Sequence, residues 1–326
     1  MKKILLTLAC MFGMGIKASA LTSSAVLLQH NGNITTYAAK DIAKAMEDAA
    51  DGDEVFLNEG TYPGFTISSA IKIKGVGQTT VISGDIVIEN TDKDLGDIFI
   101  GFLNLEGSLT GKSTMDKLDL LQLKIIKGFT QSGGTVNEVF VDRCDFNSRD
   151  YYVNLENNYK ETVTIEDVTT TTINPRVKKF TAMNSKFYIR QRANTYPAYP
   201  PYTLVNCYVF FTDVYVYGLT FINSTIKNNG GLYDSELINC VYGQTLPTGY
   251  NNKLTGCYLD GSVDDLWSIN ELEGNGYFGN DGTIIGPLGG NTPFTLVPTV
   301  PHVTEASLKV DPKKQELNAT LTVSPN

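Results

Sequence analysis

Asn206-Cys207-Tyr208-Val209, Asn223-Ser224-Thr225-Ile226 and Asn239-Cys240-Val241-Tyr242 repeat one theme: Asn, then Cys or Ser, then any residue, then an apolar or aromatic side chain. The same theme, with Arg, Asn or Gly in the first place, returns at Arg143-Cys144-Asp145-Phe146, Asn184-Ser185-Lys186-Phe187 and Gly256-Cys257-Tyr258-Leu259. The Cys/Ser positions are 41, 22, 17, 16 and 17 residues apart. A period of roughly 20 residues is the mark of a solenoid, and the longest interval is read as two turns, with Val163 to Val168 as the hidden one. In a parallel β-helix every coil gives one short strand to each of several sheets, and equivalent positions stack about 4.8 Å apart. Stacked Asn side chains can then ladder along the axis, and parallel crossovers favour the right hand.

Outward from the repeat, the rest of the chain fits one domain. Ala38, Ile42, Ala45, Met46 and Ala49 share a helical face, with Thr36 to cap the start and Gly52 past the end. This predicts a helix over 37–50 that covers the first coil. Short alternating runs of Val, Ile, Thr, Tyr and Phe between Gly, Asn and Asp clusters dominate thereafter, the strand-and-turn signature. Beyond Pro298 and Pro301, Ala306 to Val310 and Leu317 to Val323 alternate about Asp311-Pro312-Lys313-Lys314, which predicts a hairpin tail over 301–326. The expected fold is all-β: a single-stranded right-handed parallel β-helix over 21–300, with an N-terminal helical cap and a C-terminal β-hairpin.

Residues 1–20 read as an export leader. Met1-Lys2-Lys3 is positive, Ile4 to Ile16 is a 13-residue mostly apolar run too short to span a bilayer, and Ala18-Ser19-Ala20 is a cleavage site. Leu8-Ala9-Cys10 resembles part of a lipoprotein cleavage site, but a lipid anchor at Cys10 would leave only Ile4 to Ala9 as the apolar run. The mature chain is expected to be secreted, in the periplasm or on the outer cell surface, with no transmembrane segment and as a monomer. Losing Lys2, Lys3 and Lys17 takes the net charge from −9 to −12, a balance that repels phosphate backbones and argues against nucleic acid as a partner. His30 and His302 are the two histidines, too few for a three-imidazole metal site.

Against this acidity, all five arginines, Arg143, Arg149, Arg176, Arg190 and Arg192, fall within 50 residues. If Ser185 and Cys207 face inward, strand alternation turns Lys186, Tyr188, Arg190 and Arg192 outward, with Tyr208 and Phe210 on the next coil and Arg143 and Asp145 on an earlier one. The Pro- and Tyr-rich run 194–201, containing Tyr196 and Tyr199, forms a loop placed to overhang that row. Rings pack on sugar faces and guanidinium groups grip carboxylates, so the pattern predicts an acidic polysaccharide partner. The competing reading is that tyrosines cover a solvated sheet and the arginines pair with Asp145, Asp150 and Glu166. Cys144, Cys207, Cys240 and Cys257 recur at one repeat position and are read as buried structural thiols; Cys240 with Cys257 is the pair to examine for oxidation.

Ala45 to Ile88, with Asp51-Gly52-Asp53-Glu54-Val55-Phe56-Leu57, Gly60-Thr61-Tyr62 and Ile71-Lys72-Ile73-Lys74-Gly75, resembles the first coils of pectate-lyase-like right-handed β-helix proteins. Asp281-Gly282-Thr283-Ile284-Ile285-Gly286, Gly289-Gly290 and Pro293-Phe294-Thr295-Leu296 are similar to the closing segment of secreted β-helix proteins of Gram-negative gut bacteria. The resemblance covers 37–300 and implies the fold more than the activity, since the superfamily mixes lyases, hydrolases and binding proteins. A lyase of this kind removes the proton beside a uronate carboxylate with Lys or Arg, in some relatives with Ca²⁺. Lys186 and Arg190 are the candidates for those catalytic tasks, with Arg143, Asp145, Tyr188, Arg192, Tyr196, Tyr199 and Tyr208 in substrate binding. No resident cofactor is implied. An inverting hydrolase needs two carboxyls about 6.5–9.5 Å apart; Asp264-Asp265 resembles such a pair, but the Gly-His-Gly and Arg-x-Lys elements that accompany it are missing. The alternative from another class is a non-catalytic structural or adhesive surface protein.

Overall fold

The computed structural model describes residues 24–146, 153–154, 158–165, 168–190, 202–211, 215–228, 231–242, 251–259, 278–291, 293–294, 302–311 and 316–324. The chain winds as a parallel β-solenoid whose strands stack in columns. The first column runs from Glu54–Leu57 and Lys72–Lys74 through the long strands Leu95–Leu105 and Met115–Ile125 to Val136–Asp142. It continues through Phe180–Met183, Tyr202–Val205, Leu219–Ile222, Glu236–Ile238 and Lys253–Thr255. The second column carries Asp145–Phe146, Lys186–Arg190, Tyr208–Phe211, Thr225–Asn228, Val241–Tyr242 and Tyr258–Leu259. A third begins with Phe65–Ile67, Ile86–Ile88, Leu109–Gly111 and Phe129–Gln131.

The repeated tetrapeptide is the corner between the first two columns. Its first residue has positive φ on successive coils: 52° at Arg143, 48° at Asn184, 53° at Asn206, 45° at Asn223, 53° at Asn239 and 62° at Gly256. Asn and Gly tolerate the left-handed region better than other residues, which explains their recurrence there. That twist turns the following Cys or Ser inward: Cys144, Ser185, Cys207, Ser224 and Cys240 are buried in file, and Cys257 is half-buried. It also turns backbone N–H groups into the core, where they need acceptors. The Cys144 N–H donates to Ser185 Oγ one coil on at 3.0 Å, and the Cys207 N–H to Ser224 Oγ at 3.1 Å. The two hydroxyls donate back to Met183 O at 2.6 Å and Ile222 O at 2.8 Å.

Side chains beyond the corner alternate as the repeat requires. Phe146, Phe187, Val209, Ile226 and Tyr242 fill the interior. Phe146 stacks on Phe187 with centroids 5.3 Å apart, and Phe180 meets Tyr202 edge-on at 5.9 Å. Tyr202 is also buried, and its hydroxyl donates to Val177 O at 2.8 Å, so the polar tip is satisfied.

Three expectations are corrected. The 41-residue interval holds no hidden coil: Asn158–Ile165 pairs antiparallel with Val168–Pro175, while Asp145 pairs directly with Lys186 across the insertion. A Thr-rich alternating run pairs with itself, and periodicity alone did not separate that from a coil. The helix spans Ile42–Glu47 after a 3₁₀ turn at Ala39–Asp41, not 37–50, and Asp41 rather than Thr36 stands at its N-cap. Asn33–Ala38, Thr36 included, is instead a strand paired with Ala25–His30. Asn31-Gly32, at φ 48° and 81°, supplies the hairpin turn that overrides the helical pattern. Ala25–His30 also pairs with Glu54–Leu57 and so occupies the otherwise open edge of the first column. Ile42, Ala45, Met46 and Ala49 are buried as the helical face required. Thirdly, the corner amides of Asn206 and Asn239 bond a later stretch of chain, described below. His302–Asp311 pairs antiparallel with Glu316–Ser324.

Removing a corner hydroxyl tests the inward column. Ser224→Ala strips the buried Cys207 N–H of its acceptor and is expected to lower stability by about 1–3 kcal/mol, read as a drop in urea midpoint with unchanged slope. Ser224→Cys, the residue used on neighbouring coils, is expected to cost less.

Candidate functional site

Register defines one outward row along the second column: Lys124, Asp145, Lys186, Tyr208, Thr225, Val241 and Tyr258. Two residues further along the strands lies a shorter row of Tyr188, Phe210 and Lys227. Tyr188 and Phe210 are half-exposed, with ring centroids 5.1 Å apart. The sequence-predicted Asp145, Lys186, Tyr188 and Phe210 are therefore brought onto one face, and Lys227 joins them without having been singled out. Its signal was available, since it occupies the Tyr188 position of its own coil.

Tyr208 requires correction as an exposed binding ring. It points outward, but only 1% of it meets solvent. Residues 278–294 run back along the corner and lie across this face. Asn206 Nδ2 donates to Pro287 O at 3.1 Å and Gly289 O at 2.9 Å, and Asn239 Oδ1 accepts the Asn280 N–H at 3.0 Å. The Gly286 N–H also donates to Asn239 O at 2.9 Å. Gly290, at φ 77°, passes so close that an added Cβ would lie 2.1 Å from Asn223 Nδ2. Phe294 then meets the Tyr208 ring edge-on at 5.0 Å. Thr225 and Val241, the next two residues of the row, are buried as well.

Lys186 is held at the margin of this covered zone. Its ammonium lies 5.9 Å from the Tyr208 ring centroid and 5.8 Å from that of Phe294. Two ring faces and the in-register Asp145 make a cradle for a positive charge. Arg143 also needs correction: it sits at the corner itself, and its guanidinium is tied to Asp142 at 2.6 Å. Positive φ at that residue swings the side chain off the outward row and onto its neighbour's carboxylate. Arg176, another member of the cluster, donates to Gly134 O at 2.9 Å.

The backbone of Arg190 ends the Lys186 strand, opposite Asn154, and its side chain lies outside what is described. Arg149, Arg192, Tyr196, Tyr199 and Asp264-Asp265 fall outside the described residues. His30, one of the two histidines, bonds Asp53 through Nδ1 at 2.8 Å, and Asp53 accepts the Ala50 N–H at 2.8 Å. That pair ties the first hairpin to the first coil. A shallow polar cleft between Glu89–Asp94 and Lys112–Thr114 lies at a different corner. Its Lys112–Glu89 ion pair at 3.0 Å, like Lys179–Glu138 at 2.9 Å and Lys74–Glu54 at 2.7 Å, joins neighbouring coils. Among the described residues, no helix is long and apolar enough to cross a membrane.

No family model, curated protein or solved structure matches the chain.

The cover over Tyr208 has a direct test. Asn206→Ala deletes two hydrogen bonds to the returning segment and is expected to speed amide hydrogen exchange across 286–290 by about tenfold, the equivalent of roughly 1.4 kcal/mol. Exchange in the Leu109–Gly111 strand should stay unchanged.

Proposed function

We propose that this protein is an exported solenoid that engages an acidic polysaccharide on the face carrying Tyr188 and Phe210. The single observation behind this reading is the half-exposed pair of rings on consecutive coils, in one row with Lys227 and beside Lys186. Rings give apolar area for a pyranose face, and ammonium groups on adjoining positions meet uronate carboxylates. Coil spacing of about 4.8 Å suits an extended chain lying along the axis. Membership of the pectate-lyase-like right-handed β-helix proteins, with a helical cap and a hairpin tail, completes the proposal. Export, a monomeric state and Ca²⁺ assistance belong to the same reading.

β-Elimination is the enzymatic form of this proposal, with Lys186 neutralising the carboxylate and Arg190 as the second cation. A non-catalytic, adhesive role is the second reading. It is favoured by the Arg143–Asp142 pair and by the ion pairs between coils, which occupy charges that would otherwise meet a ligand.

Calorimetric titration with oligomers of pectate, alginate and glycosaminoglycans tests the proposal. At least one acidic glycan is expected to bind, and Tyr188→Ala or Phe210→Ala to weaken it by about tenfold, equivalent to roughly 1.4 kcal/mol. Binding to none of them, or binding indifferent to both substitutions, overturns it. Growth of unsaturated-uronate absorbance in the same mixtures marks the lyase; a flat trace with binding intact marks the adhesive protein.

A further inference from the structure

The inward column reads Cys144, Ser185, Cys207, Ser224, Cys240, Cys257 from coil to coil. Coils stack about 4.8 Å apart, so a serine between two cysteines leaves their backbones roughly 9–10 Å apart, beyond the roughly 7 Å Cα limit for a disulfide. Ser185 separates Cys144 from Cys207 in this way, and Ser224 separates Cys207 from Cys240. Among the described cysteines, Cys240 and Cys257 alone occupy consecutive coils. Their register is fixed on both sides: the Tyr258 N–H donates to Cys240 O at 2.9 Å and the Asn239 N–H to Thr255 O at 2.8 Å. Each thiol also meets backbone carbonyls at its own corner, Cys240 Sγ lying 3.2 Å from Ile238 O and Cys257 Sγ 3.3 Å from Leu237 O. Cys240 is fully buried, whereas Cys257, on the last described coil, is partly open to solvent.

We propose that Cys240 and Cys257 form a redox site that fastens the last described coil to the one before it, with an external disulfide as oxidant. The Cys257 thiolate attacks one sulfur of that disulfide and expels one thiolate, leaving a mixed disulfide on Cys257. Cys240 then gives its proton to the departing thiolate, attacks the Cys257 sulfur and expels the second half. Two protein thiols are thereby oxidised to one disulfide, and the external disulfide is reduced to two thiols.

The chemistry of the two positions supports that order of events. Hydrogen bonding from the Cys240 thiol outweighs burial at Cys257 and lowers its pKa to about 6, while burial raises that of Cys240. The reachable sulfur is therefore the one favoured as thiolate, and the resolving one waits a single coil away. Closing the loop 240–257 restrains the unfolded chain. It does so at the end of the stack, where Lys253–Thr255 and Tyr258–Leu259 pair with one described neighbour each.

Incubating the full chain with oxidised glutathione, then alkylating, digesting with trypsin and weighing the peptides, reads the reaction. The expected result is one link between the peptides of Cys240 and Cys257, with loss of two hydrogens. Cys144 and Cys207 should still alkylate after unfolding, and the thermal midpoint should stand above that of the reduced protein. Cys257→Ser, which places at this position the residue already used at 185 and 224, is expected to fold and to abolish the link; Cys144→Ser is expected to keep it. A stable glutathione adduct on Cys257, a link through Cys144 or Cys207, or four free thiols at these positions after oxidation would overturn the assignment.

Discussion

Each coil after Val136 must solve the same problem at the corner between its first two strands. A left-handed residue bends the chain, and the N–H that follows is driven into an apolar interior, where an unpaired donor costs about as much as a lost hydrogen bond. The solution is cooperative between coils: at Cys144 and Cys207 the acceptor comes from the serine of the next coil. Ser and Cys are both small enough to turn inward there, and Ser185 and Ser224 add the acceptor atom. Earlier coils reach the same bend with Phe102 at φ 61° and Gln122 at 52°, followed by Leu103 and Leu123 in the inward place. The corner geometry is thus common to the stack, while its polar filling belongs to the later half.

The outer surface follows from that geometry. Once the corner fixes register, Lys186, Tyr208, Thr225 and Val241 align, and an apolar stretch of that alignment needs cover. The chain supplies it from residues 278–294, held by the corner asparagines Asn206 and Asn239. The amides that bend the backbone also anchor the covering strap, so fold and surface are set by the same residues. What stays open is the neighbouring row, where Tyr188 and Phe210 touch and Lys186 and Lys227 flank them.

The parallel stacking was legible because a tetrapeptide recurring at 16, 17 and 22 residues leaves few alternatives. The direction of side chains followed from alternation, and Phe187 inward with Lys186 and Tyr188 outward agrees with it. Exposure did not follow. Alternation says which way Tyr208 points, but its burial depends on Phe294, 86 residues later, and no local pattern carries that pairing. That residues 278–291 cross this face is likewise a tertiary fact. Locally, Asn31-Gly32 was a hairpin signal that the helical spacing of the following residues masked, and the antiparallel pairing of Asn158–Ile165 hid inside an interval that arithmetic divided evenly.

That insertion bears on how such a chain changes over time. Val153–Asn154 and Phe180–Met183 keep their places in the stack on either side of the antiparallel pair Asn158–Ile165 and Val168–Pro175, so the stack is indifferent to that added pair. A connection of this kind between coils behaves as a docking port for foreign sequence: modules can be gained, traded or lost there with little penalty to the scaffold. Diversity in such a lineage should gather at the ports while the corners stay monotonous.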